Sequence, residues 1–367
     1  MKIEKITLYH VQLPMKFDFV TAKSSLNVRD SLIVKVEDSL GNTGYGEVVA
    51  FTTPFYTAET FALAWKTLKT TYLPLVLAHD FEHPFEIHDL VNAPLPMTIA
   101  GLENALCDLY FKRQNKNTIQ ALFHEDLATE ISQGAVLGDM SITQLLKKAE
   151  QLVNSGVTRL KIKITPSDSF ERTKAVRTAF PNLQLAVDAN RSFQVQNRQD
   201  VQKLDELGLI CIEEPFDFTD FSELSLLSES IQTPLCFDES VQTLSELKQL
   251  VQFPRAMLNI KIGRLGGLYQ TREAIEFCRK NSIGFWIGSM VESGISKILH
   301  IQLAALSGTA MAGDLSGSAH YFEEDLIKPE IVFANAKTQV PTGAGLGVEI
   351  NERALERWSV EKEIFSI

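Results

Sequence analysis

Apolar and polar residues alternate with a period of two over residues 3–14 and again over 30–47, with turn-forming Asp38-Ser39-Leu40-Gly41-Asn42 inside the second stretch. That alternation predicts half-buried strands in a small antiparallel sheet. Over 57–77 and 98–114 the apolar positions recur at helical spacing instead. Together these segments predict a compact N-terminal α+β unit.

From about residue 130 the texture changes. Short apolar runs alternate with amphipathic helical stretches, and each run ends in polar residues. The runs lie at 131–137, 159–164, 183–188, 209–213, 235–238, 257–262, 283–287 and 310–315. Eight strand-plus-helix repeats fit a closed parallel barrel. The first and last runs are the weakest, so one irregular stave is compatible with the pattern. After Ser318 a further strand-like stretch, 340–348, predicts a tail that returns to the N-terminal unit.

A chain of 367 residues with 45% hydrophobic and 22% charged residues is long enough for two domains with large cores. The net charge of -11 repels phosphate backbones and anionic lipid, so neither nucleic acid nor membrane is an expected partner. An anionic substrate would have to be held by local cations against that overall field. No stretch approaches the roughly 18 uninterrupted apolar residues of a membrane helix. The first residues enter strand-like sequence with no apolar core of signal-peptide length. The four cysteines, Cys107, Cys211, Cys236 and Cys278, have no paired spacing, which fits a reduced, cytoplasmic protein.

Catalytic groups of a parallel barrel gather at the carboxyl ends of its strands. Here those ends read Lys161-Ile162-Lys163, Asp188-Ala189-Asn190, Glu213-Glu214-Pro215, Asp238-Glu239-Ser240 and Lys261-Ile262-Gly263. Strands two to six therefore present Lys, acid, acid, acid, Lys in order. Three carboxylates buried together need a cation to neutralise them. Oxygen ligands without His or Cys favour a hard ion, Mg²⁺ or, as a substitute, Mn²⁺. Glu213 and Asp238 are in phase with Cys211 and Cys236 two residues earlier, so they face the interior in preference to Glu214 and Glu239. Lys161 and Lys163 share a face, and Lys261 comes from the far side of the ring. Ammonium groups close to each other and to a divalent ion should be depressed in pKa, leaving one free to act as a base. None of the seven histidines falls at a predicted strand end, which argues against zinc or a histidine base. The glycine-rich stretch 263–267 lacks a phosphate-loop or dinucleotide pattern and reads as a strand-to-helix turn.

With these motifs, and with Asn259-Ile260-Lys261-Ile262-Gly263-Arg264-Leu265-Gly266-Gly267, the chain resembles the enolase superfamily, in its muconate lactonizing enzyme subgroup. Within that subgroup it is most similar to the o-succinylbenzoate synthase/N-succinylamino acid racemase family. The intervals 163 to 188, 188 to 213 and 213 to 238 are each 25 residues. The resemblance covers essentially the whole chain. It implies an α/β fold: an N-terminal α+β capping domain over 1–125, a modified (β/α)₇β TIM-type barrel over 126–318, and a segment over 319–367 packing back on the cap.

Residue by residue, the resemblance implies that Asp188, Glu213 and Asp238 are the Mg²⁺ ligands. It makes Lys163 the general base, Lys261 the opposing lysine, and Lys161 the group that lowers the pKa of Lys163. Asn190, Arg264, Ser289, Met290 and Asp314 fall at the substrate pocket, Ser289 standing where many relatives carry Gly. Cap segments 17–25 and 51–56 would enclose the substrate. The implied activity is o-succinylbenzoate synthesis, a dehydration in menaquinone biosynthesis. The alternative is N-succinylamino acid racemisation, with Arg264 a feature associated with that activity. The expected partner is a small carboxylate carrying a succinyl arm, bound by a homo-oligomer of this chain.

Overall fold

The computed structural model describes residues 1–20, 25–54, 56–91, 95–138 and 140–366. Strands Ile3–Val20, Ser25–Asp38 and Thr43–Val48 form an antiparallel sheet, and the last strand, Ser359–Ser366, adds to its free edge beside Ile3–Val20. The tail thus returns to the cap, although through this strand. The stretch 340–348 is not a strand: Pro341 and three glycines, two at positive φ, turn the chain there, and short strands flank it at Lys337–Gln339 and Glu349–Ile350.

Against this sheet lies the helix Pro96–Arg113. Proline opens it, and the buried Glu59 carboxylate accepts from the Met97 and Thr98 amides at 2.9 and 2.7 Å, satisfying two first-turn donors. Its residues are buried nearly all round because the cap sheet covers one side and the barrel the other. Sheet and helix approach closely at two glycines. A β-carbon on Gly46 would stand 2.0 Å from the Gly101 carbonyl oxygen and 2.7 Å from the Ala105 amide, both main chain. Gly46→Ala is therefore expected to cost about 1–3 kcal/mol through overpacking, read as a lower midpoint of thermal unfolding. An unchanged midpoint would mean that helix and sheet can separate freely.

The second unit is a parallel sheet of seven strands in sequential order: Gly134–Leu137, Arg159–Lys163, Gln184–Asp188, Cys211–Glu213, Leu235–Phe237, Ala256–Ile260 and Gly284–Ile287. Helices cross over between them, as a parallel sheet requires. The eighth run is an irregular stave. It touches the seventh strand through Ala310 N to Phe285 O at 2.8 Å and reaches the first through Gly134 N to Gly313 O at 2.8 Å. Ala186, Cys211, Cys236, Met257 and Trp286 fill the barrel interior as one apolar layer. No helix among the described residues is long and apolar enough to cross a membrane.

Buried polar groups fasten cap to barrel. Arg29 donates to the carbonyls of Val49 at 2.6 Å, Ala50 at 3.1 Å and, across the domain junction, Val291 at 2.7 Å. Glu47 accepts from Ser293 Oγ at 2.6 Å and from its amide at 3.1 Å. These contacts fix the cap segment that leads into residues 51–56 against the loop after the seventh strand.

Candidate active site

Parallel register brings the strand ends level. Lys163 pairs with Asp188 and Asp188 with Glu213 as direct neighbours, one layer above the apolar layer. Asp238 follows the fifth strand and Lys261 the sixth. Lysine, three acids and lysine therefore stand along consecutive staves, in the order the sequence predicts.

Each acid is held by an amine. Lys163 Nζ lies 2.6 Å from both Asp188 Oδ2 and Asn190 Oδ1. Lys261 Nζ lies 2.7 Å from Asp238 Oδ2. Lys161 Nζ sits below and between, 3.0 Å from Glu213 and 3.2 Å from Asp188. Side-chain exposure separates the three lysines: 35% for Lys163, 12% for Lys261 and 4% for Lys161. A substrate can meet the first two, whereas Lys161 acts from beneath.

Protein charges alone set the titration of these groups. Burial pushes the Glu213 carboxyl up, the Asp188 charge pushes it further, and despite Lys161 it reaches about 8. Burial also works to raise Asp188, but Lys163 and Lys161 outweigh it and hold that carboxyl well below the usual range. Burial alone would lower Lys161 and Lys261, yet Asp314, Glu213 and Asp188 push the first up, and Asp238 pushes the second up.

The neighbouring acids behave as their phase implies. Glu214 takes a positive φ of 45° and turns away from the interior. Its carboxylate accepts from the amides of Asp238 at 2.7 Å and Ser240 at 2.9 Å, fixing the backbone that carries Asp238. Asn190, at φ 43°, bridges Lys163 to Glu239, its Nδ2 donating at 3.3 Å.

The expected pocket residues separate into two groups. Asn190 stands at the mouth on Lys163. Arg264 does not face outward: it is wholly buried behind Asp238, donating to that carboxylate, to the Val241 carbonyl at 3.0 Å and to the Asn259 carbonyl. Its effect on chemistry must pass through Asp238 and Lys261. Ser289 Oγ donates to the Asp314 carbonyl at 3.1 Å and accepts from the buried Lys297 at 3.0 Å. Met290 packs with the cap's apolar cluster. The Asp314 carboxylate points down to Lys161 and Arg159.

Two residues, one inside the expected enclosing segment 51–56 and one inside the motif that carries Lys261, make contacts the sequence analysis did not assign. Tyr56, from the cap, places Oη 3.3 Å from Asp238 Oδ1 and 3.4 Å from Lys261 Nζ, with the ammonium 5.0 Å from its ring centroid. Asn259 Nδ2 donates to Glu213 Oε1 at 3.1 Å; its position two residues before Lys261, on the same strand face, was the available signal. Of the expected enclosing segments, residues 21–24 and 55 lie outside the described residues. Phe17 meets His320 edge to face and Tyr321 at a tilt, with centroids 5.2 and 6.0 Å apart.

Among the described residues, no three acidic, histidine or cysteine side chains close around a common point in this conformation, because each acid is turned toward an amine. The donor set nonetheless fits a hard divalent ion. It is oxygen-only, buried and on adjacent staves.

A seven-stranded parallel barrel with acids and lysines at its strand ends defines a class, and comparison agrees: residues 144–354 match the enolase C-terminal domain-like family. The chain belongs to the enolase superfamily, whose members typically use a divalent metal. It is 33% identical to the o-succinylbenzoate synthase of Bacillus subtilis, covering 100% of this chain and 99% of that one. It is 32% identical to the N-succinylamino acid racemase of Thermus thermophilus, covering 97% of each. The crystal structure of an enolase-superfamily protein from Enterococcus faecalis superposes with a TM-score of 0.93 at 33% identity, covering 99% of both chains. Within the superfamily, its family is that of the o-succinylbenzoate synthases and N-succinylamino acid racemases.

Proposed function

We propose that this chain is an o-succinylbenzoate synthase of menaquinone biosynthesis. It would eliminate water from 2-succinyl-6-hydroxy-2,4-cyclohexadiene-1-carboxylate, with Mg²⁺ held by Asp188, Glu213 and Asp238 and Mn²⁺ able to substitute. The observation that carries this reading is the row Lys163, Asp188, Glu213, Asp238, Lys261 along five consecutive staves, with an exposed amine at one end and a tyrosine-covered one at the other.

A divalent cation bound there would offset the negative charge that develops on the substrate carboxylate. Lys163, in its neutral form, takes the proton from the carbon beside that carboxylate; Asp188 and Asn190 aim its nitrogen. The resulting ammonium returns a proton to the departing hydroxyl on the same face. Water leaves, the ring becomes aromatic and the amine is regenerated. Lys261 stays charged beside Asp238 and Tyr56, and contributes by its field.

A second activity, racemisation of N-succinylamino acids, is supported by Lys261 at the other end of the row and by the racemases among the relatives. Lys163 and Lys261 would then work on opposite faces of the α-carbon. The deciding measurement is a pair of assays on one preparation: dehydration of the cyclohexadiene, and loss of optical rotation of an N-succinylamino acid. Both rates should collapse on chelation and return with Mg²⁺. Turnover that survives exhaustive chelation would overturn the metal assignment.

A further inference from the structure

Below the carboxylate row lies a charge arrangement that the reaction does not itself call for. The Lys161 ammonium has carboxylates on two sides. Its shortest contact is Asp314 Oδ2 at 2.6 Å, against 3.0 and 3.1 Å to the two Glu213 oxygens and 3.2 Å to Asp188 Oδ2. The other Asp314 oxygen is paired with Arg159, a guanidinium buried at the bottom of the barrel. Among the described residues Arg159 Nε and Nη2 find no hydrogen-bond partner, and the cation lies 4.8 Å from the Trp286 ring centroid, as Lys161 lies at 5.1 Å. Burying a cation with so few partners is unfavourable for folding. Its ion pair with Asp314 ties that carboxylate low in the barrel, while Ser289 Oγ fixes the Asp314 backbone from above.

We infer that Asp314 is a positioning residue that shares the Lys161 ammonium with Asp188 and Glu213 and takes its shortest contact, so that a divalent cation can displace the ammonium from those two acids. The inference rests on the metal-site reading above. An ammonium and a divalent ion compete for the same carboxylate oxygens, so whatever holds the ammonium elsewhere strengthens the metal site. Asp314→Asn keeps the shape and removes the charge. Lys161, already 3.0–3.2 Å from Glu213 and Asp188, should then be held by those two acids alone and be harder for an incoming ion to displace. Asp314 is thereby assigned to metal-site preparation, where the sequence had placed it against substrate.

The test is calorimetric titration of Mg²⁺, and separately Mn²⁺, into the substrate-free protein, so the readout is binding and not turnover. Four forms make a double-mutant cycle: native, Asp314→Asn, Lys161→Gln and both together. We expect Asp314→Asn to weaken binding by about tenfold or more in the native background and to have no effect once Lys161 is Gln. A charge acting only through its field would weaken binding by the same factor in both backgrounds, and that result overturns the inference. So does an Asp314→Asn protein that binds like the native one. A native protein with no affinity for either ion instead overturns the metal site itself. Should Asp314→Asn fail to fold with Arg159 stranded, Arg159→Met with and without Asp314→Asn carries the same comparison.

Discussion

Lys163→Ala should lose both dehydration and racemisation, each by about a thousandfold or more, the scale of a general base removed from a proton-transfer step. Among the described residues the geometry gives Lys163 no substitute on that face. Lys161, the nearest amine in sequence, is 4% exposed and tied to three carboxylates, so it cannot rise to take the proton. Asn190 and Asp188 would remain to orient nothing. Because the Lys163 side chain is partly exposed and makes its contacts at the rim, its truncation should leave the fold intact, and thermal unfolding should confirm it. Divalent-ion binding should also persist, since Asp188 loses one partner and keeps its place. A Lys163→Ala protein that retained more than about a tenth of either rate would remove this residue from the chemistry.

The part of the site legible in the sequence was the part governed by strand periodicity. Alternation with a period of two put Lys161 and Lys163 on one face, and it put Glu213 inside with Cys211 in preference to Glu214; the structure places both acids so. The 25-residue intervals match the register for Lys163, Asp188 and Glu213, which pair directly, whereas Asp238 stands two residues beyond Cys236, the partner of Glu213. What periodicity could not supply was direction beyond the strand. Arg264 follows Lys261 by three residues, and only the turn of the short helix Ile262–Leu265 decides that it runs back behind Asp238. Tyr56 reaches Asp238 from 182 residues away, a contact no local pattern encodes.

The eighth stave is the irregular one that the weakness of the last run allowed for. The apolar run from Ala310 resembles a strand, but Gly313 lies against the Ile287 carbonyl, where a β-carbon would come within 2.0 Å, and the chain there makes single hydrogen bonds in place of a ladder. The same irregularity turns Asp314 downward into the barrel. A regular strand end would have presented it to substrate, which is how the sequence alone was read.

Lys261→Ala separates the two activities, and its effect should differ between them. In dehydration Lys261 contributes only its charge, so losing it should slow turnover by about 10²- to 10³-fold, as for other preorganised charges. In racemisation it must also deliver or accept a proton on the face opposite Lys163, where among the described residues Tyr56 covers the site and Arg264 is committed to Asp238 and two carbonyls. Racemisation should therefore fall below detection. Half of the chemistry should survive in a diagnostic form. In deuterated water, the enantiomer that presents its α-proton to Lys163 should exchange that proton without inverting, while its mirror image stays inert, because an amine on one face can remove and return a proton but cannot deliver one to the other. Nuclear magnetic resonance of each enantiomer, incubated separately, reads this directly. Continued racemisation in Lys261→Ala would mean that a single base serves both faces, and the division of labour between the two ends of the row would be wrong.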